Sequence, residues 1–448
     1  MFAATRAIRA GLIGALLLAV LVPTVAVAQT EPSYPSPEWF AREAENFAIT
    51  SQAPAEQASD PGFQQRWNEQ SLANREEYVR RRYVENDWPW DSSGNLCNHW
   101  SGPCTGDPYL YPGVDSFYDA EGLVEEVVYF DSGGALLSGH IWVPRSSQPG
   151  DRLPGVVIET GSVQAPETLY WWFAQSLVRN GYAVMTYEVR GQGRSDNRTP
   201  DGEPGSNANS DVFATNLVDS IEFFLSTPQS PYPHVESRPA PITAHNPFFD
   251  RIDSDRLGIV GHSLGARGVS VVQGMDLWPG RLLNANPVDA AVAWDNLAGS
   301  SSLAGVEVEP RVPTMGQSAD YGLTPTPFTA PPDPEGKSAG FNAWRAAGVP
   351  TYQVNVRGGT HYEWSLLPGF PTSSWDWGNP MADHYTLAWL DRWLKLPGEA
   401  GYETADARLL DDASWTDRMS FYYRSARYFP TRAGALQDCP DVKAGCSS

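Results

Sequence analysis

The chain has 448 residues, and its 53 acidic and 31 basic side chains give a formal net charge of −22. A surface this acidic is repelled by nucleic acid and by anionic lipid, so we expect neither as a partner. The length and the 41% share of hydrophobic residues allow one large α/β core with added segments.

The N-terminus has the pattern of a secretory signal peptide. Arg6 and Arg9 precede an apolar run at 11–22, and an Ala-x-Ala cleavage pattern follows at 26–28. The run is too short to span a bilayer, so we predict a cleaved signal peptide at 1–28, no stable membrane anchor, and a secreted or periplasmic protein.

Four cysteines in an exported chain suggest two disulfides, for which three connectivities exist. The short separations favour the local pairs Cys97–Cys104 and Cys439–Cys446, because a bridge needs Cα atoms within about 7 Å. Neither pair has the neighbours of a metal site.

In chain order, the pattern indicates an N-terminal extension at 29–122, a catalytic domain at 123–396 and a C-terminal extension at 397–448. Within the central part, strands alternate with helices, and residues 131–134 indicate a hairpin. This alternation predicts an α/β fold with a mostly parallel sheet and helices on both faces. Strands are expected at 123–130, 135–143, 155–159, 182–189, 257–261, 288–294, 311–317 and 350–356, and helices at 61–85, 166–179, 211–226, 338–347 and 381–396.

The motif at the centre of the chain is Gly261-His262-Ser263-Leu264-Gly265. An apolar strand precedes it and a helical pattern follows, which is the context of a nucleophile elbow. We therefore predict Ser263 as a nucleophile.

A serine nucleophile needs a base, and the base needs a carboxylate to orient it. Of the seven histidines, His361 follows a predicted strand late in the chain, as the order Ser, acid, His requires. Asp320 and Asp295 both follow strands between the serine and the histidine. We favour Asp320 because it follows the strand directly before that of His361.

The oxyanion formed during acyl transfer needs two backbone N–H donors. One is expected from Leu264, the residue after the nucleophile. The other is expected from the loop after the strand that ends at Glu159, where Ser162 is preferred and Val163 is the alternative.

These motifs resemble the α/β-hydrolase superfamily, as do the turn at 190–196 and the segment Gly358-Gly359-Thr360-His361. The segments 160–162, 170–172, 293–295 and 388–390 are most similar to dienelactone-hydrolase-type enzymes and bacterial PET hydrolases, which are cutinase-like polyesterases. The resemblance covers about 123–396 and implies the α/β-hydrolase fold. It also implies that Trp294 forms an aromatic wall of the substrate cleft. We expect the cleft to be open and apolar, with Trp171 and Tyr321, which is next to Asp320, as further candidates for its lining.

The sequence thus predicts an exported serine hydrolase that cleaves small or polymeric carboxylic esters through an acyl-enzyme. No metal, organic cofactor or protein partner is implied. The alternatives are a peptidase or amidase on the same fold, and a non-catalytic binding protein on a hydrolase scaffold.

Overall fold

The computed structural model describes residues 32–163, 165–235, 237, 239–368 and 375–446, so the predicted signal peptide lies outside the described residues. Its strands and helices follow the predicted alternation closely. The strands are β1 (Gly122–Phe130), β2 (Leu136–Pro144), β3 (Leu153–Glu159), β4 (Ala183–Glu188), β5 (Ile252–His262), β6 (Val288–Trp294), β7 (Ser302–Leu303), β8 (Val306–Glu307), β9 (Thr314–Ala319), β10 (Thr351–Val356), β11 (Ala426–Pro430) and β12 (Leu436–Cys439). The helices are α1 (Pro37–Ser59), α2 (Pro61–Val79), α3 (Phe117–Ala120), α4 (Trp171–Arg179), α5 (Val212–Phe224), α6 (Leu264–Val272), α7 (Ala339–Ala346), α8 (Trp375–Leu394), α9 (Ala405–Leu409) and α10 (Asp412–Trp415).

A ten-stranded sheet in the order β1-β2-β4-β3-β5-β6-β9-β10-β11-β12 forms the centre of the structure. In the middle of this sheet, six strands run parallel to one another, in the spatial order β4, β3, β5, β6, β9 and β10. The strands at the two edges of the sheet pair in the antiparallel sense, β1 and β2 beside β4, and β11 and β12 beside β10. The strands β1 and β2 form the hairpin that was expected at 131–134. The structure therefore confirms a mixed α/β architecture with a mostly parallel central sheet.

Both faces of the sheet are covered, as the apolar central strands require. In β3, Val156 and Ile158 pack into a core on one face with α4 and α8. Val157 points to the opposite face, into a second core with α5 and α6. This alternation follows from the two-residue period of a strand, and each fully buried aliphatic side chain stabilises the fold by about 1.5–3 kcal/mol.

The two extensions are parts of this architecture. Ser36 caps α1 by accepting a hydrogen bond from the Trp39 N–H, and Asp60 ends α1 and caps α2. The C-terminal extension adds β11 and β12 to the sheet beside β10. The sequence patterns predicted neither α1 nor these two strands.

The structure forms the two expected local disulfides. Cys97 is joined to Cys104 with a Cα–Cα distance of 5.5 Å, and Cys439 to Cys446 with a distance of 5.1 Å. Within the described ranges, no helix combines the length and the apolarity needed to cross a bilayer.

Candidate active site

Ser263 lies at the sharp turn between β5 and α6. Its backbone has φ 59° and ψ −118°, a conformation that non-glycine residues rarely adopt outside functional sites. A Cβ on Gly261 would lie 2.4 Å from the Gly265 carbonyl oxygen, and one on Gly265 would lie 2.5 Å from the Thr160 carbonyl oxygen. Only glycine fits at either position, so the turn has the strand–turn–helix geometry of a nucleophile elbow.

His361 follows β10 and pairs with a carboxylate. Its Nδ1 lies 2.6 Å from Oδ2 of Asp295, and Oδ1 of Asp295 accepts a hydrogen bond of 2.6 Å from the Ser318 hydroxyl. Burial alone would raise the pKa of Asp295, but the hydrogen bond from His361 and the nearby charge of Lys337 hold it well below its usual range. Asp295 is therefore an ionised partner that fixes the proton of His361 on Nδ1.

The predicted pairing of His361 with Asp320 is wrong. Asp320 follows β9, but its Oδ2 accepts hydrogen bonds from the Gly358 N–H at 2.8 Å and from Asn46 Nδ2 at 2.9 Å. Its other oxygen accepts from the Ser420 hydroxyl. Burial raises the pKa of Asp320 against these hydrogen bonds. Its carboxyl therefore joins the two extensions to the loop after β10.

His262, next to the nucleophile, is held as a neutral ring. Its Nε2 lies 2.9 Å from the His361 carbonyl oxygen, so Nε2 carries the proton and donates it. Its Nδ1 then accepts from the Tyr170 hydroxyl at 2.8 Å, and that hydroxyl accepts from the Gly161 N–H at 3.0 Å. Burial, followed by the neighbouring His361, lowers the pKa of His262 to about 3. The ring therefore fixes the backbone of His361 and does not exchange protons near neutral pH.

The loop after β3, which carries Ser162, is fastened at both ends by Gln192. Gln192 Nε2 donates to the Gly161 carbonyl at 2.8 Å, and its Oε1 accepts from the Ala165 N–H at 3.1 Å. Because the Gly161 N–H is used by Tyr170, it is not a free donor. Ser162 lines the same cavity as Ser263, and Leu264 follows Ser263 as the first residue of α6. The role of both as oxyanion donors stays a prediction. We call these two hydrogen bonds of Gln192 the clamp. The sequence around Gln192 predicted only a tight glycine turn and did not predict the clamp.

A cavity of about 640 Å³ opens at the nucleophile and has an apolar lining. Ser263, His262 and His361 lie on its wall together with Ser162. Among the described residues, the lining includes no Lys, Arg, Asp or Glu side chain, and its larger side chains are mostly aliphatic. They include Leu96, Pro103, Val163, Leu169, Leu323 and Leu367.

The three predicted substrate-binding aromatics do not line this cavity. Trp294 is fully buried, stacks on Trp172 and donates from Nε1 to the Thr386 hydroxyl at 3.0 Å. Trp171 is buried and packs edge-on against Trp100. The Tyr321 hydroxyl donates to Glu43 of α1 at 2.7 Å. Trp294, Trp171 and Tyr321 therefore do not form the wall of this cavity, whose lining is mostly aliphatic and has Tyr170 and Tyr362 as its aromatic members besides the two histidines.

Among the described residues, no cluster of His, Cys, Asp and Glu side chains is arranged to hold a metal ion.

No protein-family model and no curated protein sequence matches the chain. A ferulic acid esterase from Streptomyces cinnamoneus is similar with 16% identity and a TM-score of 0.37 over 63% of this chain and 94% of the esterase. A hypothetical protein from Pseudomonas aeruginosa has 18% identity and a TM-score of 0.28 over 41% of this chain, and the match spans 44% of that protein's length. At these TM-scores neither neighbour bears on the activity, so the function rests on this chain's own residues.

Proposed function

We propose that the protein is an α/β-hydrolase-type serine esterase that cleaves neutral carboxylic esters through an acyl-enzyme. The observation that carries the proposal is the elbow serine, Ser263, lining the same apolar cavity as His361, whose Nδ1 is paired with Asp295. Nucleophile, base and orienting carboxylate in this arrangement are the parts that acyl transfer requires.

In the proposed mechanism, the Ser263 hydroxyl attacks the ester carbonyl carbon while His361 Nε2 takes its proton. Asp295 stabilises the imidazolium through the bond to Nδ1, and N–H groups of Leu264 and Ser162 hold the oxyanion. The imidazolium then gives its proton to the leaving alkoxide, which leaves the acyl group on Ser263. Water then attacks the acyl carbonyl carbon while His361 Nε2 takes its proton, and the imidazolium returns this proton to Ser263 Oγ as the acid leaves, which restores the free enzyme.

The lining of the cavity supports an ester rather than a charged substrate. It offers no Lys, Arg, Asp or Glu side chain within the described residues to pair with a charged group, and unpaired charges are costly to place in an apolar cavity. The two disulfides support an oxidising location, in line with the predicted export.

The test is hydrolysis of p-nitrophenyl butyrate by the purified protein and by Ser263→Ala. We expect turnover by the unmodified protein and a loss of about 10⁶-fold in the variant, because the triad acts as a unit. A reactive phosphonate should label the unmodified protein, and peptide mapping should find the adduct on Ser263.

Three outcomes would contradict the proposal. Cleavage of p-nitroanilides faster than of matched esters would indicate an amidase. Full turnover of p-nitrophenyl butyrate by Ser263→Ala would show that Ser263 is not the nucleophile. A protein that neither turns over esters nor reacts with the phosphonate would be a binding protein on this scaffold.

A further inference from the structure

One wall of the active-site cavity comes from the N-terminal extension, which lies outside the segment that resembles known hydrolases. Residues 96–104 form a short loop closed by the Cys97–Cys104 disulfide, and we call this segment the disulfide loop. It places five residues on the cavity that contains Ser263. These are Leu96, Cys97, Ser101, Pro103 and Cys104.

The disulfide loop is anchored firmly to the core. Trp100 is buried, donates from Nε1 to Glu188 Oε1 at 2.7 Å, and lies 3.4 Å from the guanidinium of Arg194. The Cys104 carbonyl accepts a hydrogen bond of 2.7 Å from the Thr168 hydroxyl. Glu188 ends β4 and Arg194 follows it, so the central sheet holds the loop in position. A wall held in this way has a fixed shape, which is what selection among substrates needs.

The mouth of the cavity has an apolar rim that includes a residue of this loop. Leu96 is 74% exposed, Val163 of the loop after β3 is 82% exposed, and Leu323 of the loop after β9 is 55% exposed. All three line the same cavity. Exposed apolar side chains gathered around one opening indicate contact with an apolar ligand rather than with water.

We propose that the disulfide loop is a specificity-determining wall, and that Leu96 contacts the apolar chain of a neutral ester as this chain leaves the cavity. The inference rests on the proposed esterase function and names the substrate class: esters with an extended aliphatic group. A short acyl or alkyl group stays near Ser263 and does not reach Leu96. A longer group passes over the rim and gains from the apolar area that Leu96 provides.

The experiment compares the full-length protein with Leu96→Asp and with the control Leu277→Asp. Leu277 is 90% exposed and does not line the cavity, so the control adds the same charge elsewhere. Two ester series are measured, because the aliphatic group can belong to the acid or to the alcohol. They are p-nitrophenyl esters from acetate to decanoate, and acetate esters from ethyl to decyl alcohol.

We expect Leu96→Asp to raise KM about tenfold for the longest esters of at least one series, with kcat unchanged, which corresponds to about 1.4 kcal/mol. KM for the shortest esters should not change, and Leu277→Asp should match the unmodified protein throughout. The series in which KM rises identifies the side of the ester that the loop contacts.

An equal change at all chain lengths, or no change in either series, would overturn the role of the loop while leaving the esterase proposal intact. The same length-dependent loss in Leu277→Asp would also overturn it, because the effect would then belong to net charge. If the unmodified protein hydrolyses no ester, the proposed function itself fails and this inference fails with it.

Discussion

Replacing Asp295 by asparagine tests the central assignment of the site, because it changes the partner of His361 with almost no change in shape. In the protein, Oδ2 of Asp295 accepts from His361 Nδ1 and Oδ1 accepts from the Ser318 hydroxyl, each at 2.6 Å. In the variant, the Ser318 hydroxyl still needs an acceptor, so the side-chain amide is oriented with its oxygen toward Ser318. The amide NH₂ group then faces His361.

The size of the effect follows from the histidine tautomer. An NH₂ group donates to Nδ1, so the ring proton moves to Nε2, and Nε2 can no longer accept the proton of Ser263. Loss of the correct tautomer reduces kcat by about 10⁴-fold in a Ser-His-Asp triad, which corresponds to roughly 5.4 kcal/mol of transition-state stabilisation. We expect a loss of this order for Asp295→Asn with little change in KM.

Asp320→Asn is the matched control, since it makes the same change at the carboxylate that the sequence favoured. Burial raises the pKa of Asp320, so a neutral amide suits its environment, and the amide oxygen still accepts from the Gly358 N–H. We expect kcat within about fivefold of the unmodified protein, since one altered hydrogen bond is worth about 1 kcal/mol. The assay is steady-state hydrolysis of p-nitrophenyl butyrate, with melting temperatures recorded for both variants.

Two results would refute this reasoning. One is a 10⁴-fold loss of kcat in Asp320→Asn while Asp295→Asn stays active, which would show that Asp320 is the carboxylate that orients His361. The other is a loss in Asp295→Asn that is matched by a large fall in melting temperature and a raised KM, which would make Asp295 a structural residue.

Three further variants test other parts of the structure. Gln192→Leu removes the clamp on Gly161 and Ala165, which holds the loop that carries Ser162. It should lower kcat by up to about 10²-fold with KM unchanged, because oxyanion donors act in the transition state. An unaltered kcat would show that the loop keeps its conformation without Gln192. Trp294→Ala should lower the free energy of unfolding in urea by about 3–5 kcal/mol and leave the ratio of KM values for long and short esters unchanged; a length-dependent KM in a stable variant would restore Trp294 to the cleft. Burial and the charge of Glu167 raise the pKa of Glu188 from 4.5 to about 8, so between these pH values only the unfolded chain is ionised there, and stability falls as pH rises. Glu188→Gln should therefore melt at a temperature that declines less from pH 5 to pH 8, whereas parallel curves would mean that Glu188 is ionised in the fold.

Much of the fold could be predicted because local patterns determine it. Short apolar runs next to glycine or proline marked β3, β4 and β6, and the two-residue period of a strand assigned their faces. The elbow could be predicted from the Gly-x-Ser-x-Gly spacing between a strand and a helix, and Gly261 is required by a local contact with the Gly265 carbonyl. The disulfides followed from proximity along the chain.

The acid could not be decided in this way. Asp295 and Asp320 both follow parallel strands between the serine and the histidine, and their neighbours in sequence are equally unrevealing. The difference between them is that the Asp320 carboxyl group accepts hydrogen bonds from Asn46 and Ser420. These residues lie 274 and 100 positions from Asp320 in the sequence. The contribution of the disulfide loop to the cavity was hidden for the same reason, because no local pattern shows where an extension docks.

The hydrogen bonds around Asp320 mean that the two ends of the chain meet behind the active site. Glu43 of α1 accepts from Tyr321 and from Tyr422, so it links the turn after β9 to the C-terminal extension. The support beneath the His361 loop is therefore incomplete in a nascent chain until the segment that carries Ser420 and Tyr422 has been synthesised and has docked. A chain truncated before Ser420 would already contain Ser263, His361 and Asp295 but lack this support, so we expect the proposed hydrolytic activity to appear only after that segment is in place.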